Sequence, residues 1–374
     1  MRIATLQFDP KLGDVKGNIE TANALLKKGK AISIDREQPG LGLGMDFLKP
    51  DVLVLPEMAL TGYNFPSLEA ITPYLETFGD GPSSLWARET AKRLQCMVCV
   101  GYPEIEKDPQ NSGHTTCYNA LLVVDKNGDF IHNYRKSFLY VCDEPWAAEG
   151  DVERSFRELK FSSLERLSTI KENQLFPETN EKQVATSFGI CMDINPYKFE
   201  APFDKWEFAS RVLDSKSQLV ILSMAWTSML SPEELEDLKD KPDMDTFNYW
   251  LQRFWPLIKR KMQHEVDLDG GEAPDSPKRI VIVFANRSGE DPPADETKPP
   301  VQYVGSSTIL AITQRLGKDA DAGSGASESE TEDDLPFDVK ILCWDMLGAR
   351  EEGICFADTT ADPKMVFALK RASK

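Results

Sequence analysis

Apolar and polar positions follow two rhythms along this chain. Short unbroken apolar runs, among them Val52-Leu-Val-Leu55 and Cys96-Met-Val-Cys-Val100, are closed by proline, glycine or polar residues and read as strands buried on both faces. Stretches of helical period lie between them. Asn18–Lys28 puts Ile19, Ala22, Leu25 and Leu26 on one face, and Ser83–Gln95 reads as a second helix opened by Pro82. Leu121–Val124 runs into Asn127-Gly128, a hairpin turn, and Phe130–Lys136 returns from it. Residues 232–264 begin with Pro-Glu-Glu and read as helical, ending in the aromatic-rich run Phe247–Ile258, whose spacing suits a packed core better than a ligand box. Val339–Trp344 is a late strand. Strands alternating with helices over 374 residues predict one large α/β unit, 1–374.

Three of these strands end on chemically capable residues. The run Thr186-Ser-Phe-Gly-Ile190 stops at Cys191 and passes at once into Met-Asp-Ile-Asn-Pro, a turn or helix start. A thiol there projects from a strand end, and the amide of Met192 is the first N–H behind it, placed to face an oxyanion. A free cysteine in isolation is more often a core residue than a nucleophile. However, Asp51-Val-Leu-Val-Leu-Pro-Glu57 delivers a carboxylate to the end of its own buried strand, and Phe130–Lys136 delivers an ammonium. Open α/β sheets build sites where strand carboxyl ends meet, so these three residues share a place to converge.

Taken in this order, the segments resemble the nitrilase or carbon–nitrogen hydrolase superfamily, whose hallmark is a Glu-Lys-Cys triad. Other matching stretches are Met1–Phe8, Leu55-Pro-Glu57 with Thr61-Gly-Tyr63, Tyr118-Asn-Ala120, Tyr134-Arg-Lys136, Gly189-Ile-Cys-Met-Asp193, Leu222-Ser-Met-Ala-Trp226, Ala285-Asn-Arg287 and Val304-Gly-Ser-Ser307. They span almost the whole chain. The resemblance implies a four-layer α-β-β-α sandwich. Within the superfamily, Cys191-Met-Asp-Ile-Asn-Pro-Tyr-Lys-Phe-Glu-Ala-Pro202 is similar to the fungal branch that deamidates N-terminal Asn and Gln of proteins. The implied partners are polypeptides beginning with Asn or Gln, and the implied setting is the N-degron pathway. A small-molecule ω-amidase or carbamoyl hydrolase on the same scaffold is the competing enzyme. A silent binding scaffold would have lost a triad member, and all three are present.

On this resemblance Cys191 attacks a side-chain carboxamide. Glu57 serves as base toward the thiol, acid toward ammonia and base again toward water, while Lys136 and the Met192 amide hold the oxyanion. Glu144 stands eight residues after Lys136, where amidase members carry a second glutamate, and would position the lysine and the substrate amide; Asp143 is its immediate rival. A cationic α-amine calls for a buried carboxylate, for which Asp193 is the candidate, with helix capping as its competing role. Tyr63 and Trp226 are candidates for the pocket wall, ordinary core packing being equally consistent.

Composition then removes whole classes. A net charge of −18, from 43 basic and 61 acidic residues, disfavours nucleic acid and leaves a protonated amine unrepelled. Seven cysteines, an odd number, without a signal-like apolar start, point to a reducing cytoplasmic or nuclear setting. No apolar run approaches the ~20 residues of a membrane helix. Cys96-Met-Val-Cys99 lies in a strand-like run without a second pair at zinc-ribbon spacing, and His114, His132 and His264 lack an H-E-x-x-H context, so no metal is expected. Neither G-x-S-x-G nor a phosphate-cradling glycine loop occurs, so the expected chemistry is cofactor-free. Residues 151–183 read as an insertion near the cleft that shapes access, and 317–336, rich in Asp, Glu, Ser and Gly, as a flexible acidic loop. Superfamily members often pair through a helical face, which leaves monomer and homodimer both open.

Overall fold

Side-chain alternation decides the architecture. In the strand Val52–Val54, Val52 and Val54 face the space between two sheets, whereas Leu53 packs toward helices. The same division separates Met97 and Cys99 from Val98 and Val100, and Leu121 and Val123 from Leu122 and Val124. Strands with two apolar faces need a layer on each side. One face is met by a second sheet and the other by helices, which is the four-layer α-β-β-α order that the sequence resemblance implies.

This architecture is seen in a computed structural model that describes residues 1–32, 41–107, 113–163, 180–265, 268, 277–293, 297–316 and 337–368. The six-stranded sheet has the order Gly353–Asp358, Arg2–Gln7, Val52–Val54, Met97–Lys107, Thr115–Val124, Phe130–Arg135. The seven-stranded sheet runs Met365–Ala368, Phe337–Met346, Thr308–Leu316, Lys278–Asn286, Leu219–Met224, Asn180–Ile190, Phe156–Ser163. Each sheet contains a parallel trio, Arg2–Gln7 with Val52–Val54 and Met97–Lys107 in one, and Asn180–Ile190 with Leu219–Met224 and Lys278–Asn286 in the other. Helices Val15–Lys28 and Pro82–Leu94 bury Ala22, Leu25, Leu26, Trp86, Ala87 and Ala91 against the first sheet. Helices Glu207–Asp214 and Met244–Arg253 cover the second, where Trp250 stacks on Phe284 at 4.8 Å. The aromatic run is therefore core, with Phe247, Trp250 and Phe254 fully buried.

The carboxyl ends of the two trios are stitched together. Ser223 Oγ donates to Leu55 O at 2.9 Å, the Glu57 amide to Met224 O at 3.3 Å, and the Ser288 amide to Phe8 O at 3.0 Å. Close approach also requires a glycine in the neighbouring strand: a Cβ on Gly101 would lie 2.7 Å from Met58 N and 2.8 Å from Glu57 Cα.

Two expectations need correction. The first half of 151–183 is an edge strand, with Phe156 opposite Ser187 and Ser163 opposite Asn180. Its Leu159 and Phe161 point inward, and the charged residues Arg157, Glu158 and Lys160 around them hid the strand pattern. Residues 164–179 lie outside the described residues, and they join this strand pair at the end away from Cys191, about 35 Å distant along Asn180–Ile190 at ~3.3 Å per residue. Residues 232–264 form three short helices, Pro232–Asp237, Met244–Arg253 and Pro256–Lys259, the second capped by the Asp243 carboxylate. The acidic stretch 317–336 also lies outside the described residues.

Gly101→Ala is expected to lower stability by about 1–3 kcal/mol, the usual cost of overpacking. Because the new methyl meets backbone of the Glu57 segment, activity should fall more than the Tm shift alone accounts for; thermal melts paired with turnover measurements check this.

Candidate active site

Glu57 sits where a buried strand must stop. Pro56 removes a backbone donor, Met58 takes φ +52°, and the chain turns away, leaving the Glu57 carboxylate fully buried. Oε1 accepts from Lys136 Nζ at 2.6 Å and Asn119 Nδ2 at 2.7 Å; Oε2 accepts from the Ala225 amide at 2.8 Å. Burial raises the Glu57 carboxyl above its ordinary value, opposed by the Lys136 charge and these hydrogen bonds. A carboxyl held up in this way suits a group that must take and return protons near neutral pH.

Lys136 follows the strand Phe130–Arg135 and has no solvent exposure. Nζ lies 2.6 Å from Glu57 Oε1, 2.6 Å from Asp143 Oδ2 and 3.4 Å from the Tyr63 hydroxyl. Burial disfavours the ammonium, but Asp143 and Glu57 outweigh it and hold Lys136 above its ordinary value. It stays cationic.

Cys191 ends the strand Asn180–Ile190 and starts a single 3-10 turn, Cys191–Ile194. Its φ of +42° is rare for a residue with a side chain and costs about 1–2 kcal/mol, the strain of an elbow. Burial pushes its thiol well above the ordinary range, the Glu57 charge adds to that, and Lys136 and the Ala225 amide oppose it. The resting group is therefore a thiol rather than a thiolate, and attack needs a base beside it. Cys191 as a residue retains 8 % exposure while Glu57 and Lys136 have none, so of the three it lies nearest the solvent side of the cluster. The Met192 amide is the next N–H in the turn.

The structure thus brings Glu57, Lys136 and Cys191 together and reassigns several neighbours. Asp143, not Glu144, positions the lysine: it is fully buried, with Oδ2 also accepting from the Tyr140 amide at 3.0 Å and the Tyr63 hydroxyl at 3.2 Å. Glu144 is exposed, turned outward by the tight turn in which the Asp143 amide donates to Tyr140 O. Asp193 is not available to an α-amine. Its Oδ1 accepts from the Ser137 and Phe138 amides at 3.0 and 2.8 Å, and its Oδ2 from the Ile190 amide and the Tyr134 hydroxyl at 2.7 and 2.8 Å. It clamps the turn after Lys136 to the elbow, an extended form of capping. Tyr63 is fully buried under the cluster rather than lining a wall. Trp226 stays half-buried one residue beyond Ala225, its ring 5.7 Å from Tyr249 and 5.8 Å from Trp250.

Sequence reasoning named Asn119 and Arg287 only within matching stretches, gave them no role in the site, and passed over the Ala225 amide and Asp291. Arg287 Nη1 donates to Asp291 Oδ2 at 2.7 Å, and the same oxygen accepts from the Asn64 and Tyr63 amides, at 3.1 and 3.3 Å, and the Tyr303 hydroxyl at 2.7 Å. The signal was present for Asn119 and for the pair: a lone amide opening the apolar run Ala120–Val124, and an Arg and an Asp four residues apart behind a buried strand, all need partners once buried. The Cys96 and Cys99 pair lies in the core, where burial pushes the Cys96 thiol up to about 12.

A sandwich of two such sheets with a Glu-Lys-Cys cluster at their joined rim defines a class of thiol-dependent amide hydrolases. The family model described as carbon–nitrogen hydrolase matches residues 2–195, and this chain belongs to that family. The chain is 30% identical to the protein N-terminal amidase of Schizosaccharomyces pombe over 327 residues, covering 84% of this chain and 92% of the relative. It is 29% identical to the protein of the same description from Saccharomyces cerevisiae over 316 residues, covering 69% of this chain and spanning 64% of that relative's length. A crystal structure of N-terminal amidase shares the fold with a TM-score of 0.67 at 24% identity, each chain covered to 99%.

Asp143→Ala is expected to cut ammonia release from an amide substrate by about 10²-fold, the scale seen when a charge-stabilising donor is lost. Glu144→Ala should leave it nearly unchanged. Steady-state assays of both variants, with melts to verify folding, decide which carboxylate serves Lys136.

Proposed function

We propose that this chain hydrolyses the side-chain amide of N-terminal Asn and Gln in polypeptides, giving Asp and Glu and releasing ammonia. The supporting observation is the buried Glu57–Lys136–Cys191 cluster, in a chain similar over most of its length to proteins described as protein N-terminal amidases. Solved neighbours of the same fold hold Gln-Gly and Asn-Glu-Ala peptides.

On this reading the residues present divide the steps among them. Cys191 Sγ bonds to the carboxamide carbon as its proton passes to Glu57. The carbonyl oxygen becomes an oxyanion facing Lys136 Nζ and the Met192 N–H. Collapse breaks the C–N bond, and the proton on Glu57 leaves with ammonia, giving a thioester. Water then adds to the thioester carbon, its proton moves to Glu57, and expulsion of the thiolate, reprotonated from Glu57, yields the carboxylic acid. Lys136 remains an ammonium throughout, because two carboxylates hold its proton. Its contribution is fixed positive charge in a site with little water, which needs no reorganisation as the oxyanion forms.

This reading places the reaction at the start of the N-degron pathway, where new N-terminal Asp and Glu would be consumed. It also places the protein in a reducing compartment, cytosol or nucleus, in keeping with its seven free cysteines. An ω-amidase reading is separated from it by substrate size, since a site serving protein N-termini must tolerate a chain beyond the first residue.

Cys191→Ala should abolish ammonia release from an Asn-initiated peptide while preserving the melt; normal turnover in that variant would remove the mechanism. N-acetylated Asn peptides should turn over far more slowly than free ones, and free Asn amide analogues no faster than peptides. Equal rates for acetylated and free peptides would sink the N-terminal specificity.

A further inference from the structure

Asn119 lies beneath the cluster and takes no part in the steps above. It belongs to the strand Thr115–Val124, is fully buried, and donates from one nitrogen to two carboxylates: Nδ2 to Glu57 Oε1 at 2.7 Å and to Asp143 Oδ1 at 2.9 Å. Its main-chain oxygen accepts from the Lys136 amide at 2.8 Å. Lys136 Nζ bridges the same two carboxylates, at 2.6 Å to each. Glu57 and Asp143 are therefore joined twice, once by a cation and once by a neutral amide.

Carboxylates sharing a dry site ordinarily retain a proton between them, and one ammonium offsets only one negative charge. Among the described residues the titratable groups facing the cluster around Glu57 include Lys136, Asp143, Cys191, Tyr63, Cys142 and Tyr140, and Lys136 is the one cation of these. A carboxamide NH₂ donates and does not accept, so it rewards the deprotonated form of both neighbours at once. Asn119 Oδ1, by contrast, is buried without a partner among the described residues, so it is the NH₂ end that the site uses.

We propose that Asn119 is a positioning residue whose amide, shared between Glu57 and Asp143, keeps Glu57 ionised and free to act as base for Cys191 while Asp143 holds Lys136. The proposal rests on the Glu57–Cys191 chemistry of the hydrolase reading and not on which amide is cleaved. Burial raises the Glu57 carboxyl, and the Asn119 hydrogen bond is among the contacts opposing that rise. Losing it makes Glu57 hold its proton to higher pH.

The test follows iodoacetamide alkylation of Cys191 across pH, resolved peptide by peptide by mass spectrometry, alongside ammonia release from an Asn-initiated peptide. Asn119→Ala is expected to move the acidic limb of both profiles upward by about one pH unit, with KM little changed, the scale of one lost hydrogen bond to a charged group. In the double variant Asn119→Ala/Asp143→Asn one carboxylate faces Lys136, and the alkylation limb should return toward the wild-type position. A folded Asn119→Ala protein whose limb stays in place overturns the proposal, as does a shifted limb that the second substitution leaves unmoved. If Asn119→Ala does not fold, Asn119→Ser, which keeps one donor, should show a smaller upward shift, and no shift there overturns the proposal equally. Alkylation requires no substrate, so wild-type protein with a normal alkylation profile but no ammonia release would count against the Asn/Gln reading alone.

Discussion

A lysine ammonium without solvent contact is the constraint around which this site is arranged. Removing such an ion from water costs several kcal/mol even after the protein relaxes. Lys136 persists because Glu57 and Asp143 each approach its nitrogen to 2.6 Å. Two carboxylates then exceed one cation, and the remaining lone pairs must be met by neutral donors. Asn119, the Ala225 and Tyr140 amides and the Tyr63 hydroxyl do this. The scheme repeats one layer further out, where the buried Arg287 guanidinium sits against Asp291, which in turn holds the main chain carrying Tyr63. Each group is placed by the need to satisfy the one before it.

The proposed nucleophile and its proposed base come from different sheets. Glu57 and Lys136 follow strands of the six-stranded sheet, and Cys191 follows a strand of the seven-stranded one. Bonds across the joined rims, from Ser223 to Leu55 and from Glu57 to Met224, fix that alignment. Catalytic geometry therefore forms only when the two halves of the core have packed. The Asp193 carboxylate adds a second fastening, tying the residues after Lys136 to the elbow that carries Cys191.

The triad positions were legible because Glu57 and Cys191 end apolar runs closed by a proline or a turn, and Lys136 ends the strand that returns from the Asn127-Gly128 hairpin turn. The layer order came with the family resemblance; the apolar runs by themselves asked only for cover on both faces of each strand. Finer assignments failed where the deciding partners are backbone atoms or distant residues. Nothing in Cys142-Asp-Glu-Pro-Trp146 distinguishes the two adjacent carboxylates; the tight turn from Tyr140 does, by turning Asp143 in and Glu144 out. Asp193 read as a possible amine partner because its ligands, the Ser137 and Phe138 amides, lie far away in sequence. The edge strand Phe156–Ser163 escaped notice because an edge exposes charged residues that blur alternation.

The attachment points of the long segments in the seven-stranded sheet carry a different message. Residues 164–179 join the start of Asn180–Ile190, 269–276 precede Lys278–Asn286, and 317–336 connect Leu316 to Phe337, whose strands pair beside the start of Lys278–Asn286. All three enter at the rim opposite Cys191. In this half of the molecule the cluster stands at one rim and the long segments attach at the other, so a tag or sensor inserted there would begin and end a full strand's length from Cys191.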